Sequence, residues 1–391
     1  MILGASNAQL PIILKAVKMG FYVITIDNLP NNIGHQFSHQ SVNCSTVDLD
    51  GVCKVAKDLN IDGIVTFASD IATTTVAFVA TSLQLQGCKV EIAKTLSNKA
   101  NFRQFQQQHN LNHPDFFIEK TIDTLEEKCL KLNPPLIFKP VDTSGSRGIT
   151  KDEDIDASNC REAFSYAQQF SSSGRVSVEE FIDGVDVSGD GFLVGGQLYA
   201  SVSQKYKHGF IPTGHRFPTN IKKEDQGLIF SEIIKTCQAL GYTDGPIDFD
   251  VKVSNNRVVV IEMSPRLGGN GIPELIKRSV GVDLIEMTLN YALGNPYSFP
   301  DISHAKGCAS WVFGSEIAGE IEHITSTNEM KFKIKELFEC RFNYQIGDNV
   351  SAFEHSGNSM GYVLFDCPSE RDYEILTKRL QSALQFRLIK S

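Results

Sequence analysis

Two β-rich runs around one short polar turn constrain this chain more than any other stretch of its sequence. Ile247-Asp248-Phe249-Asp250-Val251 leads through Ser254-Asn255-Asn256 to Val258-Val259-Val260-Ile261-Glu262-Met263-Ser264-Pro265-Arg266. Period-two alternation predicts a hairpin with Asp248, Asp250 and Lys252 on one face of its first strand and Val260, Glu262 and Ser264 on one face of its second. Asp250 and Glu262 then converge. Carboxylates in a Val/Ile-rich hairpin carry a large desolvation cost unless a counter-charge meets them. A divalent cation supplies that charge, and hard oxygen donors suit Mg²⁺, which keeps waters and shares its shell with substrate phosphates. Either acid alone reads as an outward-facing residue or a partner of Lys252 or Arg257. The pair, followed by Ser264-Pro265-Arg266 and Gly268-Gly269-Asn270-Gly271, points to a site.

A phosphate-bearing partner needs positive charge and backbone donors. Leu136-Ile137-Phe138-Lys139 reads as a buried strand ending in a lysine, and Thr143-Ser144-Gly145-Ser146-Arg147-Gly148 follows it. Small residues there let successive N–H groups approach phosphate oxygens. No G-K-[ST] follows, so this is not a Walker A loop. In Val178-Glu179-Glu180-Phe181-Ile182-Asp183-Gly184-Val185-Asp186 acids surround an apolar pair. Adenine could pack there, with main-chain groups at Glu180 and Ile182 reading its edge and Asp186 accepting from ribose. Taken singly, the lysine is an edge residue, the loop a loop and the acids a strand end.

Along the chain the first stretch alternates strand and helix patterns: Met1 to Leu3, Leu10 to Lys18, Tyr22 to Ile26, Val52 to Leu59 and Gly63 to Thr66. That rhythm predicts a Rossmann-like parallel sheet over residues 1–94. Its first turn, Gly4-Ala5-Ser6-Asn7-Ala8-Gln9, lacks the later glycines of G-x-G-x-x-G, so Asp27 is read as a turn residue rather than a ribose ligand. Residues 95–300 read as α+β, opening with a polar helix from Asn98 to His109 on which Lys99 and Arg103 stand one turn apart. Within it, 110–185 form one lobe and 186–300 another. Lys207 to Pro218 reads as a flexible lid carrying His208, His215 and Arg216 towards an anionic substrate. Gly268, Gly269 and Asn270 precede a helix from Pro273 and could offer N–H groups to a carboxylate. Residues 301–391 read as a small α+β subdomain ending in an amphipathic helix near Glu370 to Leu384. Asp152-Glu153-Asp154-Ile155-Asp156 reads as a solvated face.

Lys plus Arg number 37 against 46 Asp plus Glu, a formal charge of -9, which disfavours long nucleic acids as partners. The nine cysteines include no C-x-x-C, as expected of free thiols in a reducing cytoplasm. Neither a signal peptide nor an apolar run of about 18 residues is present, which argues against export and membrane insertion.

Taken in order, Ser97-Asn98-Lys99, Ile137-Phe138-Lys139-Pro140, Ser144 to Gly148, Glu179 to Asp186, Phe249-Asp250-Val251 and Ile261-Glu262-Met263-Ser264-Pro265-Arg266 resemble the ATP-grasp superfamily, over about three quarters of the chain. The carboxylate-amine ligases of that superfamily, biotin carboxylase, carbamoyl phosphate synthetase and L-amino acid ligases are the relatives implied. The resemblance implies a nucleotide clamped between two α+β lobes. Lys99 and Lys139 would contact ATP phosphates, with Ser144, Gly145, Ser146 and Gly148 closing over them. Glu179, Glu180, Phe181 and Ile182 would hold adenine, Asp186 ribose, and Asp250 and Glu262 Mg²⁺. Arg266 would steady an acyl-phosphate, and Lys205 would meet the transferred phosphate. Two departures stand out: Ser264 replaces a more usual Asn two residues after the metal-binding Glu, and Asp186 replaces a more usual Glu.

The activity this implies is ATP-dependent ligation of a small carboxylate to an amine, with amino acids as the natural substrates and a homodimer allowed. Three other readings remain open on sequence: bicarbonate activation on the same fold, a non-catalytic nucleotide-binding protein and, last, a Rossmann oxidoreductase.

Overall fold

The structure, a computed structural model, describes residues 1–154, 156–254, 257–299 and 305–389. Asn255 and Asn256 of the expected turn, Ile155 of the acidic run and the expected 300/301 boundary lie outside them.

The first sheet is parallel throughout and joins β1 (Ile2–Leu3), β2 (Ile24–Asp27), β3 (Gln40–Asn43) and β4 (Val65–Thr66) in the order β3-β2-β1-β4. Crossovers run through α1 (Leu10–Lys18), which buries Pro11, Ile12, Ile13 and Ala16, and α2 (Leu49–Asp58), whose N-cap Asp48 accepts from the Gly51 N–H at 3.0 Å. Asp27 accepts from the N–H groups of Ala5 and Leu29, both at 2.9 Å, so it ties the first turn together. After α3 (Thr73–Ser82), α4 (Val90–Leu96) spans the expected 94/95 junction and leads into α5 (Lys99–Gln108). Asn98 caps α5 through the Asn101 N–H, which fixes Lys99 in its first turn.

A small antiparallel sheet follows, in the order β5-β8-β6-β7, from β5 (Phe116–Glu119), β6 (Leu136–Pro140), β7 (Thr150–Asp152) and β8 (Val176–Glu180). With α6 (Leu125–Cys129) and α7 (Ala157–Gln169) it encloses its own core, where Phe138, Phe164, Val176 and Val178 are fully buried.

The larger lobe contains β9 (Val185–Val194), β10 (Gln197–His208), β11 (Ile211–Phe217), α8 (Lys223–Leu240), β12 (Gly245–Ser254), β13 (Arg257–Ser264), α9 (Ile272–Val280) and α10 (Leu284–Ala292). Beyond it come β14 (Cys308–Phe313), β15 (Gly319–Ile324), α11 (Thr327–Lys333), β16 (Leu337–Phe342), β17 (Asn349–Val350), β18 (Gly361–Asp366), α12 (Glu370–Ala383) and β19 (Phe386–Ile389). One eight-stranded sheet runs β13-β12-β9-β10-β11-β14-β18-β16, so hydrogen bonding continues from the larger lobe into the C-terminal segment. A three-stranded sheet, β17-β15-β19, flanks it. Together these are the α/β first domain, two-lobed α+β middle and α+β C-terminal part expected from the sequence.

One element differs. The expected lid, Lys207 to Pro218, is mostly regular strand: β11 pairs with β10 on one side and with β14 on the other, His215 opposite Ser310. An interior strand has both its backbone edges satisfied and cannot swing as a lid. No helix among the described residues is long and apolar enough to cross a membrane.

Candidate functional site

In the β12–β13 ladder Asp250 stands opposite Glu262 and Asp248 opposite Ser264. The next matched pair is Val251 with Val260, so Ile261 is an extra residue on β13, a bulge. The bulge breaks the expected alternation: Val260 turns into the core with Phe249, Val251 and Met263, while Asp250 and Glu262 share the other face of the hairpin, each side chain 34% exposed. Lysines meet both acids. The Lys205 ammonium donates to Asp250 Oδ2 at 2.6 Å, and Lys99 Nζ lies 3.6 Å from Glu262 Oε1. Ser188 Oγ also donates to Asp250. Burial works against both charges of the Lys205–Asp250 pair, but mutual attraction outweighs it, holding the ammonium above and the carboxyl below their ordinary values.

This donor set fits Mg²⁺. Two hard carboxylates converge from paired strands, partly open and faced by positive charge, and no cluster of three or more His, Cys, Asp or Glu forms a closed metal cage among the described residues. An ion that keeps waters and takes phosphate oxygens needs no such cage. The Ser264 hydroxyl is buried and has no hydrogen-bond partner among the described residues.

The Ser/Gly loop bridges three parts of the molecule. Lys99 Nζ donates to Thr143 O at 2.6 Å, Ser146 Oγ to Phe210 O at the β10–β11 tip at 2.8 Å, and the Ser356 N–H to Gly145 O at 3.1 Å. Gly145, Ser146 and Gly148 have φ values of 73°, 64° and 70°. Glycine adopts that conformation freely, which explains the loop's composition.

On β8 the two glutamates diverge. Glu179 points inward, 1% exposed, and accepts from Lys139 Nζ and Ser177 Oγ, both at 2.9 Å, so, contrary to the expectation that it holds adenine, its buried side chain is not offered to a base. Glu180 points out and accepts from the Asn133 N–H at 2.8 Å. Its own N–H is taken by Asp115 O at 2.9 Å, so its carbonyl is the group left for a purine edge. The Ile182 N–H has no partner among the described residues. Lys151 and Lys252 lie 4.3 and 5.1 Å from the Phe181 ring centroid. Asp186 pairs with Lys207 at 2.7 Å and accepts from Lys252 at 3.1 Å.

Arg266 projects into a cleft of roughly 1210 Å³ lined also by Asp70, Ser144, Arg147, Asn270 and Tyr344. Its Nε donates to Asp70 Oδ1 at 2.9 Å and its Nη1 to Leu267 O at 3.1 Å, with further bonds to Asp70 and Asp248. Burial opposes the guanidinium charge, yet Asp248 and Asp70 more than restore it. Gly269 and Asn270 line the same cleft, but the Gly268 N–H is already held by Asp190 Oδ1 at 2.9 Å and is not free for a substrate carboxylate. Asp190 faces Asp248 across β9 and β12, and burial together with that neighbour pushes its carboxyl well above the ordinary range.

Two expected substrate contacts lie elsewhere. His215 is 2% exposed, its Nδ1 3.1 Å from Ser203 Oγ, and burial with the nearby Lys205 pushes it down to about 3, so it is a neutral core imidazole. Arg216 stands on the opposite face of the sheet, opposite Gln204 and beside Tyr206, which stacks on Tyr373 of α12 at 3.8 Å. It donates to Asn220 and does not reach the cleft. Conversely, Asp70 and Arg103 carry contacts that sequence reading did not assign. Asp70 had a signal: it follows β4, and ligands of parallel sheets gather beyond the carboxyl ends of the strands.

A family model described as the ATP-grasp domain matches residues 132–274. The uncharacterised y4rH protein of Sinorhizobium fredii is 27% identical over 256 residues, which is 62% of this chain and 51% of that protein, so the chain spans about half its length. An L-arginine-specific L-amino acid ligase from Bacillus subtilis is 22% identical over 317 residues, 76% of this chain and 74% of its own. Among solved structures, an L-amino acid ligase from Bacillus licheniformis matches 100% of this chain and 98% of its own with a TM-score of 0.85 at 22% identity, a likeness of fold.

Proposed function

Because the chain carries an ATP-grasp domain, we propose that it is an ATP-dependent ligase joining a small carboxylate to an amine, with amino acids as substrates. The observation that carries this reading is the cross-strand pair Asp250 and Glu262 with Lys205 and Lys99 upon them. The names of the ligase relatives supply the amino-acid class.

In this reading Lys99 and Lys139 bind ATP phosphates beneath the loop of Ser144, Gly145, Ser146 and Gly148. The Glu180 carbonyl and Ile182 N–H read adenine, and Asp186 holds ribose. Asp250 and Glu262 would hold Mg²⁺, which would supply charge neutralisation at the phosphates. Lys205, which donates to Asp250, meets the γ-phosphate as the substrate carboxylate attacks it. Arg266, held rigid by Asp70 and Asp248, offers a fixed positive charge to the resulting acyl-phosphate. An amine then displaces phosphate, giving an amide, ADP and phosphate.

The test is ADP release with ATP, Mg²⁺ and pairwise mixtures of amino acids, with bicarbonate alone as a separate arm. Release that requires a particular pair supports the reading. Release with bicarbonate alone, or none with any pair, overturns it.

A further inference from the structure

Lys139 is not free to meet a nucleotide. It is 6% exposed, and its ammonium is hydrogen-bonded to Glu179 at 2.9 Å. The register explains the contact: β6 and β8 are neighbours, with Lys139 opposite Ser177, two residues from Glu179. If Lys139 turned to a phosphate, Glu179 would be left as a buried carboxylate, and an unpaired buried charge is strongly unfavourable.

A second cation already stands there. Arg103, on α5, is 1% exposed, and its Nε lies 3.2 Å from Glu179 Oε2, the same oxygen that Lys139 uses. Yet that N–H is not aligned for a hydrogen bond and has no other partner among the described residues. A buried donor so close to a carboxylate oxygen and unused is costly, and its presence calls for a reason. The rest of the guanidinium is anchored: Nη1 donates to Gln106 Oε1 at 2.8 Å and to Val260 O at 3.4 Å, and Nη2 to Ile261 O, the carbonyl of the β13 bulge, at 2.9 Å. Arg103 is therefore fixed in place beside the strand that carries Glu262. Burial pushes the Glu179 carboxyl up, but Arg103 and then Lys139 outweigh it and hold it at about 2.

We propose that Arg103 is a positioning residue, the standby counter-ion that releases Lys139 for nucleotide phosphate. Lys139 leaves Glu179 Oε2, and that oxygen then accepts the idle Arg103 Nε–H, so no buried charge is stranded. This rests on the reading of Lys139 as a phosphate ligand.

The experiment is titration calorimetry with ADP and Mg²⁺ on four proteins: wild type, Arg103→Met, Glu179→Gln and the double variant. Arg103→Met is expected to bind at least roughly 100-fold more weakly, the lower end of the cost of leaving a buried charge without its partner. Glu179→Gln has no anion to strand and binds at least as tightly as wild type. The double variant, with no stranded carboxylate, recovers to within about tenfold of wild type, which a purely structural arginine would not allow. It also serves if Arg103→Met fails to fold. Equal affinity of Arg103→Met and wild type, or a double variant as weak as roughly 100-fold below wild type, overturns the proposal alone. Failure of wild type to bind ADP overturns both it and the ligase reading.

Discussion

Replacing Asp70 by Asn tests the link between the first domain and Arg266. The substitution keeps the shape of the side chain and removes its charge. Asp70 takes the Arg266 Nε–H at 2.9 Å and a second N–H from Nη2, and its side chain is only 15% exposed, so solvent screens the contact little. Charge-assisted hydrogen bonds contribute about 1.5–3 kcal/mol against about 0.5–1.5 for neutral ones. Asn can still accept one N–H, and Arg266 keeps Asp248, so the full penalty of about 3–5 kcal/mol for an orphaned buried charge is not reached. The expected loss at neutral pH is about 1.5 kcal/mol, roughly a tenfold change in the unfolding equilibrium. The pH dependence has a definite sign. Burial pushes the Asp70 carboxyl up, but Arg266 outweighs it and holds it below its ordinary value. A depressed folded value stabilises fully above the unfolded value of about 3.9 and stops doing so as pH falls through the folded one. Urea unfolding of both proteins should therefore show a constant gap from about pH 7 to about pH 5 that closes below about pH 4. No gap at neutral pH, or one that widens in acid, would refute the contact.

Changing Asp250 to Asn together with Glu262 to Gln should abolish the tightening of ADP binding by Mg²⁺ while leaving metal-free ADP binding nearly unchanged; a variant that keeps a Mg²⁺ enhancement of roughly tenfold sinks the metal assignment. Arg216→Met, beneath α12 and away from the cleft, should leave KM for both substrates within about twofold of wild type, measured by coupled ADP release; a large rise in KM at unchanged kcat would put Arg216 in the substrate site after all.

What could be read from sequence was set by local periodicity. Asp250 is legible because it alternates with the buried Phe249 and Val251, and the parallel first sheet because helices with an apolar face, α1 and α2, stand before β2 and β4. The bulge at Ile261 was invisible, since one inserted residue changes no composition. The strand from Ile211 to Phe217 was hidden by Gly209, Pro212, Gly214 and Pro218, which read as loop punctuation. It exists because β14, far along the chain, pairs with its outer edge. Strand phase then sent His215 and Arg216 to opposite faces, neither into the cleft. Asp70 and Arg266, 196 residues apart, meet only after the first domain has docked. The Asn98 cap, which accepts the Asn101 N–H, is by contrast a short-range feature that sets Lys99 at a helix start.

The ladder that passes from β11 to β14 also decides how the molecule can be cut and spliced. The tail cannot be treated as an exchangeable cassette, because β14 supplies the hydrogen-bonding neighbour of His215 and Arg216. A version stopped before β14 would bare a raw seam along β11, ready to recruit another chain and precipitate. Chimaeras meant to retune selectivity should therefore carry β11, β14 and β18 over as one inseparable block.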